Sequence, residues 1–392
     1  MYNTGGWAIM YQAWAEETMK RILNKLDQMH SEIGSKIPHV CRGGKYDDMT
    51  ENMRWWTNGF WPGLLWMGYQ QTKNEDYAKS AVEIENKLDG VIDDFYSIDH
   101  DAGFMWLLSA GADFRITGNE ESKRRCLKAA SFLASRFNLK GKFIQAWNGQ
   151  PGWAIVDCTM NIPLLYWASC ITENPRYRHI AEAHAETVAR HFVRPDGSVN
   201  HILSFDAETG ELIESIGGQG AAPDSAWSRG ASWAVYGLPL SYRYTKNPEF
   251  LEAAKRAANF YIANLPEDHV AHWDFRVERT AETPRDTSAA ACGACGLLEL
   301  AKFVPDNEKP FYRDAAYKIL KSLTDNYSNL DNPNDQCMLR EGTGHFPAGQ
   351  NVNVGLIYGD YYYMEGISRL MGNDKIFWYE PQEGNPNPPE KA

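Results

Sequence analysis

The chain has 392 residues, of which 43% are hydrophobic and 23% are charged, and its formal net charge is −12. A chain of this length can bury a large core, and it lacks the basic surface that nucleic acids and anionic membranes require. We therefore predict a single domain over residues 1–392 whose partners include neither nucleic acid nor membrane. A small anionic substrate stays possible, because it needs only one or two local cations.

The beginning of the chain has no basic segment followed by an apolar run, and no segment is apolar over the length of a membrane span. We expect a bacterial protein of the cytoplasm, or of the periplasm if a signal peptide has been removed. The seven cysteines mostly lie in apolar helical segments, which is typical of reduced core residues. Cys292 and Cys295 have CxxC spacing but no second pair nearby, so no metal site is expected there.

A Thr-x-Asn triplet recurs along the chain, beginning at Thr72, Thr117, Thr172 and Thr245. Each triplet ends an apolar segment and starts an amphipathic one, and Asn is a favoured helix N-cap. A degenerate fifth copy begins at Pro305. Amphipathic helices of an outer ring are therefore predicted to start near Tyr11, Asn74, Asn119, Asn174, Asn247 and Asn307.

The segments between these helices are apolar on nearly all sides, as an inner ring of buried helices requires. Six outer and six inner helices, with the first outer helix packed on the last inner one, form an all-α (α/α)6 barrel. An open solenoid is the alternative, but its last helix should be more polar than the three tyrosines at 361–363 suggest. The predicted inner helices start near Trp56, Asp101, Asp157, Trp227, Asp286 and Asp360.

All inner helices of such a barrel begin at the same end, so the residues around their starts should meet at one mouth. Tryptophans, carboxylates and amides are common there, and this composition is typical of sugar sites, where flat apolar faces contact the ring and polar groups bind hydroxyls. The residues expected at the mouth are Trp55, Trp56, Asn58, His100, Asp101, Trp147, Asp157, His201, Gln219, Trp227, Arg229, Trp233, Trp273 and Asp286.

Two carboxylates stand at equivalent places of this pattern. Asp157 follows Ile155 and Val156 and opens an apolar helical segment. An acid there either caps the helix or, poorly solvated among apolar neighbours, has a raised pKa and can donate a proton near neutral pH. Asp101 opens the preceding inner helix in the same way. Two acids at one mouth favour a catalytic role over helix capping, because neighbouring carboxyl groups acquire different pKa values and can then act as acid and base.

Other polar residues have less specific surroundings. Arg229 begins an apolar helix and needs an anionic partner, either an internal carboxylate or the carboxylate of a substrate. His201 lies in a predicted strand without metal-ligand spacing, which favours hydrogen bonding over metal binding. Asp286 and Asp360 are interpreted as helix caps, and His184 on an outer helix is expected to face solvent.

A series of motifs, each modest alone, follows one order from about residue 50 to about residue 370. They are WTNGFW (56–61), HDAGF (100–104), QAW (145–147), VDC (156–158), WSRG (227–230), PED (266–268), WDF (273–275) and YGDYYY (358–363). Together they resemble the unsaturated glucuronyl hydrolases, which are (α/α)6 barrels. The resemblance implies hydrolysis of oligosaccharides that a polysaccharide lyase has left with a 4,5-unsaturated uronic acid at the non-reducing end. It implies no metal and no organic cofactor.

Carried over by position, the resemblance makes Asp157 the general acid and base, and Asp101 the partner that binds ring hydroxyls and tunes it. Asp157 would protonate C4 of the vinyl ether and then deprotonate the water that adds at C5, after which the hemiketal opens and expels the linked sugar. Asn58, His100 and His345 complete the predicted substrate-binding set. The residues that the resemblance places around the sugar are Trp56, Trp147, His201, Gln219, Trp227, Arg229 and Trp233.

One departure concerns sulfate. Members of this family that prefer sulfated glycosaminoglycan fragments carry serines and a lysine shortly before the last motif, whereas Ala348 and Gln350 stand there in this chain. Either the substrate is non-sulfated or sulfated elsewhere, or His345 or Gln350 takes over sulfate binding.

Three other functions stay open at this point. The first is that of a related unsaturated rhamnogalacturonyl hydrolase, and the second is that of an inverting glycosidase whose two carboxyl groups, on Asp101 and Asp157, stand roughly 6.5–9.5 Å apart. The third is that of a sugar-binding barrel without catalysis, although a pure binder gains nothing from an acid in an apolar setting. We expect a monomer or a weak homo-oligomer.

Overall fold

The computed structural model describes residues 4–373 and 376–379. Within these residues the chain forms α1 (Thr4–Ile33), α2 (Phe60–Thr72), α3 (Glu75–Asp93), α4 (Ala102–Trp106), α5 (Ala110–Thr117), α6 (Glu120–Ser135), α7 (Pro163–Thr172), α8 (Pro175–Thr187), α9 (Ser228–Thr245), α10 (Pro248–Ala263), α11 (Thr287–Leu300), α12 (Lys309–Ser322) and α13 (Ile357–Leu370). None of the helices in the described ranges is both long enough and apolar enough to cross a membrane.

These helices form two concentric rings. The outer ring consists of α1, α3, α6, α8, α10 and α12, and the inner ring consists of α2, the pair α4 and α5, α7, α9, α11 and α13. Helix α1 packs against α13, and the Tyr11 hydroxyl donates to Asp314 of α12 at 3.0 Å, so the first outer helix closes the ring. The prediction of an (α/α)6 barrel is confirmed.

The Thr-x-Asn triplets end one helix and start the next. In all four, the Asn side chain accepts a hydrogen bond from the backbone N–H two residues later, at 3.0–3.1 Å. The middle residue is left-handed each time, with φ between 54° and 77°, which reverses the chain. The sixth outer helix, α12, follows the degenerate fifth copy and begins at Lys309 without a side-chain cap.

Two inner helices are less regular than their apolar pattern predicts. The second is interrupted at residues 107–109 and so forms α4 and α5. The third is preceded by a 3₁₀ turn, Val156–Met160, so that Asp157 lies in this turn and α7 begins only at Pro163. Neither Asp101 nor Asp157 caps a helix with its side chain. Capping therefore does not explain why carboxylates stand at these positions.

The two other acids predicted as caps differ. Asp286 caps α11, because it accepts from the backbone N–H groups of Ser288 and Ala289 at 3.1 and 3.3 Å. For Asp360 the prediction is wrong, because α13 begins three residues earlier, at Ile357. The buried Asp360 carboxylate instead accepts from the backbone N–H groups of residues 338 and 339 at 2.9 Å each, and so holds the loop before α13.

Short strands lie in the segments between the helices. They are β1 (Val40–Arg42), β2 (Lys45–Tyr46), β3 (Phe137–Asn138), β4 (Phe143–Ile144), β5 (Trp153–Ile155), β6 (Ile202–Phe205), β7 (Leu212–Ile216) and β8 (Gly355–Leu356). Strands β5, β6 and β7 form an antiparallel sheet in which Ile155 pairs with Ile202. The backbone N–H of Val156 also donates to the main-chain oxygen of His201, at 3.0 Å. This pairing brings the side chains of Asp157 and His201 to the same end of the sheet.

The prediction that His184 faces solvent is wrong. This residue of α8 is fully buried, and its Nδ1 accepts from the backbone N–H of Ile144 at 3.1 Å. The reason is that β4 covers this side of the outer helix, which helix periodicity alone does not show. The seven cysteines are thiols rather than disulfides, and six of them are buried, as predicted.

Candidate active site

A cavity of about 290 Å³ opens at the mouth where the inner helices begin. Arg54, Asp99 and Gly218 also line it, although the sequence analysis did not single them out. The predicted site residues that line the cavity are Trp56, His100, Asp101, Trp147, Asp157, His201, Gln219, Arg229 and His345. The barrel topology therefore brings together residues from widely separated parts of the chain.

A close backbone contact joins the two helix starts that carry the carboxylates. A Cβ on Gly103 would lie 2.4 Å from Cα of Asn161, so only glycine allows this approach. The Asn161 amide donates to Asp101 Oδ1 at 3.2 Å and to the main-chain oxygen of Asp157 at 3.3 Å, and it accepts from the backbone N–H of Phe104 at 2.7 Å. Asn161 thus fixes the two acids relative to each other. Its only sequence signal is a buried amide within an apolar segment.

Asp101 lies beside His100. The ring Nδ1 of His100 lies 2.9 Å from the main-chain oxygen of Ala146, which can only accept, so Nδ1 carries a hydrogen. The other ring nitrogen, Nε2, lies 3.3 Å from Asp101 Oδ1. Burial raises the pKa of Asp101 well above its usual range, and the negative charges of Asp99 and Asp157 raise it further. Asp101 therefore holds its proton at a higher pH than an exposed aspartate does.

The surroundings of Asp157 favour its protonated form. Burial raises its pKa from 3.8 to about 6, although the positive charges of His100 and Arg229 oppose the increase. Its side chain retains 16% exposure, toward the cavity. Its Oδ2 is buried and accepts no hydrogen bond of ordinary geometry within the described residues, although the indole of Trp233 lies close enough to lower the pKa of the acid. This carboxyl group can therefore hold a proton close to neutral pH and present it to a bound molecule.

His201 faces Asp157 across a gap of 3.6 Å between Nε2 and Oδ2. Its Nδ1 lies 2.9 Å from the backbone nitrogen of Gln219 and 3.2 Å from the main-chain oxygen of Gly217, so either tautomer of the ring finds a partner there. Burial lowers the pKa of the ring to about 3, so the ring is neutral. Its Nε2 makes no hydrogen bond within the described part of the chain.

Arg229 pairs with an internal carboxylate, which is one of the two anionic partners expected from the sequence. Its Nη1 donates to Asp286 Oδ2 at 2.5 Å and to the main-chain oxygen of Thr343 at 2.6 Å, and its Nη2 donates to that of Gly344 at 2.6 Å. The guanidinium also lies 4.5 Å from the ring centre of Trp227. These contacts fix its orientation while the residue lines the cavity.

Three predicted site residues do not line the cavity. Asn58 is fully buried in a 3₁₀ turn and donates to the main-chain oxygen of Asn52 at 3.1 Å. Trp227 lies behind His201, with ring centres 4.3 Å apart, and Trp233 lies more than one helical turn farther along α9 and is 1% exposed. These residues support the wall of the site from behind rather than forming its surface.

His345 belongs to a tight hairpin at the rim. Backbone hydrogen bonds of 2.9 and 3.0 Å join it to Gln350. Gln219 and Arg229 both donate to the oxygen of Gly344, which places His345 next to them. Ala348 and Gln350 are exposed on the hairpin. Burial lowers the pKa of His345, so this hairpin presents no permanent cation to the cavity.

The similarity of the chain to known proteins shows its family. The model of the family described as Glycosyl Hydrolase Family 88 matches residues 29–372. The chain belongs to Glycosyl Hydrolase Family 88. The resemblance in the motifs is confirmed, and this member of family 88 is a glycoside hydrolase. This membership favours a glycosidase over a sugar-binding barrel without catalysis.

Similar members of family 88 cover almost the whole chain. It is 39% identical to an unsaturated glucuronyl hydrolase of Bacillus sp. (strain GL1), over 89% of this chain and 94% of the relative. It is 35% identical to an unsaturated chondroitin disaccharide hydrolase of Streptococcus agalactiae serotype III (strain NEM316), over 93% of each chain. The crystal structure of unsaturated glucuronyl hydrolase from Bacillus sp. GL1 superimposes with a TM-score of 0.89 at 35% identity, covering 95% of this chain and all of the other.

Proposed function

We propose that this family 88 hydrolase removes the 4,5-unsaturated uronic acid from the non-reducing end of lyase-generated, glycosaminoglycan-type disaccharides. The observation that carries the proposal is the state of Asp157. Its pKa is raised to about 6, its side chain keeps 16% exposure in the wall of the cavity, and its Oδ2 makes no hydrogen bond within the described residues. A proton donor of this kind suits a double bond, which must be protonated on carbon. The similar glucuronyl and chondroitin disaccharide hydrolases support the choice of substrate class.

In the proposed reaction, Asp157 delivers its proton to C4 of the uronic acid. Positive charge develops at C5 and is shared with the ring oxygen. A water molecule then adds at C5, and the newly formed carboxylate of Asp157 accepts a proton from it, which restores the acid. The hemiketal opens by breaking the bond between C5 and the ring oxygen, and the hemiacetal left at C1 collapses to an aldehyde and the free linked sugar. One water molecule is consumed in each turnover.

Asp101 and His201 would orient the sugar. The raised pKa of Asp101 reduces the negative charge that this second acid adds beside Asp157, and its carboxyl group is placed to bind a ring hydroxyl. His201 places the Nε2 atom of a neutral ring 3.6 Å from Asp157 Oδ2 on the other side. The half-buried indoles of Trp56 and Trp147 provide flat faces in the cavity wall.

Arg229 is the proposed contact for the uronate carboxylate. Three hydrogen bonds to Asp286, Thr343 and Gly344 use both hydrogens of Nη1 and one of Nη2. A guanidinium has five donors, so the edge formed by Nε and Nη2 keeps two parallel N–H groups. That edge is the one that binds a carboxylate with two hydrogen bonds. Because Asp286 neutralises the charge of Arg229, the arginine supplies directed donors more than net attraction.

Within this substrate class, we propose a preference for disaccharides without a sulfate on the linked sugar. The rim hairpin carries Ala348 and Gln350, neither of which is charged, and the lowered pKa of His345 keeps that ring neutral at pH 7. A sulfate held there would lose its water without gaining a cationic partner. Structurally similar family members include a glucuronyl hydrolase specific for heparin, so preferences within the family differ.

The test is a panel of unsaturated disaccharides from chondroitin, hyaluronan, heparin and pectin lyases, each in sulfated and non-sulfated form where both exist. Loss of the ultraviolet absorbance of the C4=C5 bond measures the reaction, and saturated disaccharides with the same linkage are the controls. We expect turnover of the unsaturated glycosaminoglycan compounds only. Turnover of saturated controls would instead favour a conventional glycosidase, and a strong preference for the pectin-derived compounds would favour a rhamnogalacturonyl hydrolase.

We also infer that the chain forms a single catalytic domain. The inference is supported by one hydrophobic cluster that extends from Ala15 on α1 to Trp378 beyond α13. The oligomeric state stays a prediction, and the elution volume of the purified protein with light scattering would measure it.

A further inference from the structure

A second cluster of reactive side chains lies outside the sugar cavity, where β1 meets the loop before α13. It consists of Cys41, Asp335 and Cys337, whose two sulfur atoms and one carboxylate oxygen all lie within 4.8 Å of one another. Both thiols approach the same atom, Asp335 Oδ1, at 3.4 Å from Cys41 and 3.2 Å from Cys337. We propose that these three residues bind one thiophilic divalent metal ion such as Zn²⁺.

The geometry is close to that of a tetrahedral zinc site. Bonds of about 2.3 Å to sulfur and about 2.0 Å to oxygen place neighbouring ligand atoms roughly 3.5–3.8 Å apart. The sulfur-to-oxygen separations of 3.2 and 3.4 Å therefore need only small side-chain movements to accept an ion. A cavity of about 540 Å³ has all three residues in its wall. It provides a route for the ion and space for a water molecule as the fourth ligand.

The surroundings orient and balance the cluster. Asn329 donates to the other carboxylate oxygen of Asp335 at 2.8 Å and to Cys337 Sγ at 3.4 Å, which turns Oδ1 toward the thiols. Lys25 is buried on α1 and donates to the main-chain oxygens of Asn332, at 2.7 Å, and of Asp335. Two thiolates and one carboxylate carry three negative charges. A divalent ion and the Lys25 ammonium carry three positive charges.

Both thiols are reduced and buried, because Cys41 and Cys337 are only 4% and 2% exposed. A bound metal ion removes the proton from a coordinating thiol outright. Binding of one ion therefore forms two metal–sulfur bonds and releases two protons, with no oxidation or reduction.

The ion would be structural. Cys41 lies in the strand that precedes the segment with Trp56, whereas Asp335 and Cys337 precede the loop whose carbonyl groups hold Arg229. Joining them would stabilise two walls of the sugar site without contact to the reacting atoms. Sequence spacing could not show this site, because Cys41 and Cys337 lie near opposite ends of the chain. This inference does not rest on the proposed substrate.

The test uses the full-length protein, reduced and freed of metal with a chelator, and titrated with Co²⁺ and then with Zn²⁺. We expect one equivalent of Co²⁺ to produce thiolate-to-cobalt charge-transfer absorption in the near ultraviolet, which one equivalent of Zn²⁺ removes. Calorimetry of Zn²⁺ binding in buffers of different ionisation enthalpy should show about two protons released per ion. Zn²⁺ should also raise the Tm.

Matched variants locate the site. Cys41→Ser and Cys337→Ser should each remove the charge-transfer band, and Asp335→Asn should weaken Zn²⁺ binding at least about tenfold. Cys170→Ser, on α7 and outside the cluster, should leave the band intact. No band in the wild-type protein would overturn the proposal, as would a band that survives in either cysteine variant. The wild-type titration decides even if a serine variant fails to fold. A Cys41–Cys337 disulfide formed in air, found by mass spectrometry in protein that does not bind Co²⁺, would also overturn it.

Discussion

Replacing Asp157 with asparagine should abolish turnover and, at the same time, stabilise the fold at neutral pH. A buried carboxyl group that must ionise in the folded state costs free energy, whereas the amide of asparagine has the same shape and no charge. The folded pKa of about 6 lies above the ordinary value of 3.8. A difference of this size corresponds to about 3 kcal/mol of unfolding free energy, with little reduction by solvent because the side chain is mostly buried.

The sign of the pH dependence follows from the raised pKa. Below pH 3.8 the carboxyl group is protonated in both states and costs nothing, and above pH 6 it is ionised in both, so the folded state bears the full cost. Between these values the cost increases with pH, to about 1 kcal/mol at pH 4.5 and about 3 kcal/mol at pH 8. The variant should therefore gain about 2 kcal/mol on the wild type between these two pH values.

Urea unfolding of the wild type and of Asp157→Asn at pH 4.5 and pH 8 measures this gain. The control is Asp331→Asn, because an exposed hydrogen bond from Arg21 lowers the pKa of Asp331 and so reverses the sign. That variant should lose a little stability at pH 8 relative to pH 4.5. A constant difference between the wild type and Asp157→Asn at both pH values would refute the raised pKa, and with it the role of Asp157 as an acid.

Two further substitutions test the walls of the site. Gly218→Ala should lower kcat/KM strongly, because a Cβ there would lie 2.2 Å from the imidazole of His201. Gly118 is also left-handed but has open space around it, so Gly118→Ala should affect stability alone. Equal kcat/KM values for the two variants would contradict this. Arg229→Ala should raise KM and lower the unfolding free energy by about 3–5 kcal/mol, since Asp286 loses the partner of a buried ion pair. For the exposed Arg124→Ala the loss should stay below about 1 kcal/mol, and a similar loss in both variants would show that the buried pair contributes little.

The helical pattern of the chain was sufficient to predict the barrel. Each Thr-x-Asn triplet acts locally, since the cap and the left-handed residue before it require only neighbouring atoms. The pattern also placed Asp101 and Asp157 at one mouth, because barrel topology alone brings the starts of the inner helices together. What it could not predict was the break between α4 and α5, which contains no residue that ends a helix by itself. The late start of α7, after the 3₁₀ turn around Asp157, does have a sequence signal in Pro163 at its first position.

The details of the site depend on contacts between distant segments. Asn161 links the two acids only because Gly103 allows the backbones to meet, and Gly218 matters only because a sheet places it against His201. Likewise, Trp233 has the residue type of a sugar platform, yet its position along α9 buries it below the surface. Residue type therefore predicts candidates, while position along each helix decides which of them reach the cavity.

The central claim is that the enzyme hydrates the double bond and that sugar release follows. The most direct measurement records ultraviolet absorbance and released reducing sugar together, on one unsaturated disaccharide, at several enzyme concentrations. Hydration predicts that absorbance falls no later than sugar appears and that both rates scale with enzyme, while Asp157→Asn shows neither. Direct cleavage at C1 would release a monosaccharide that still absorbs. In that case absorbance would lag behind sugar release at a rate independent of enzyme concentration, and the account would be contradicted.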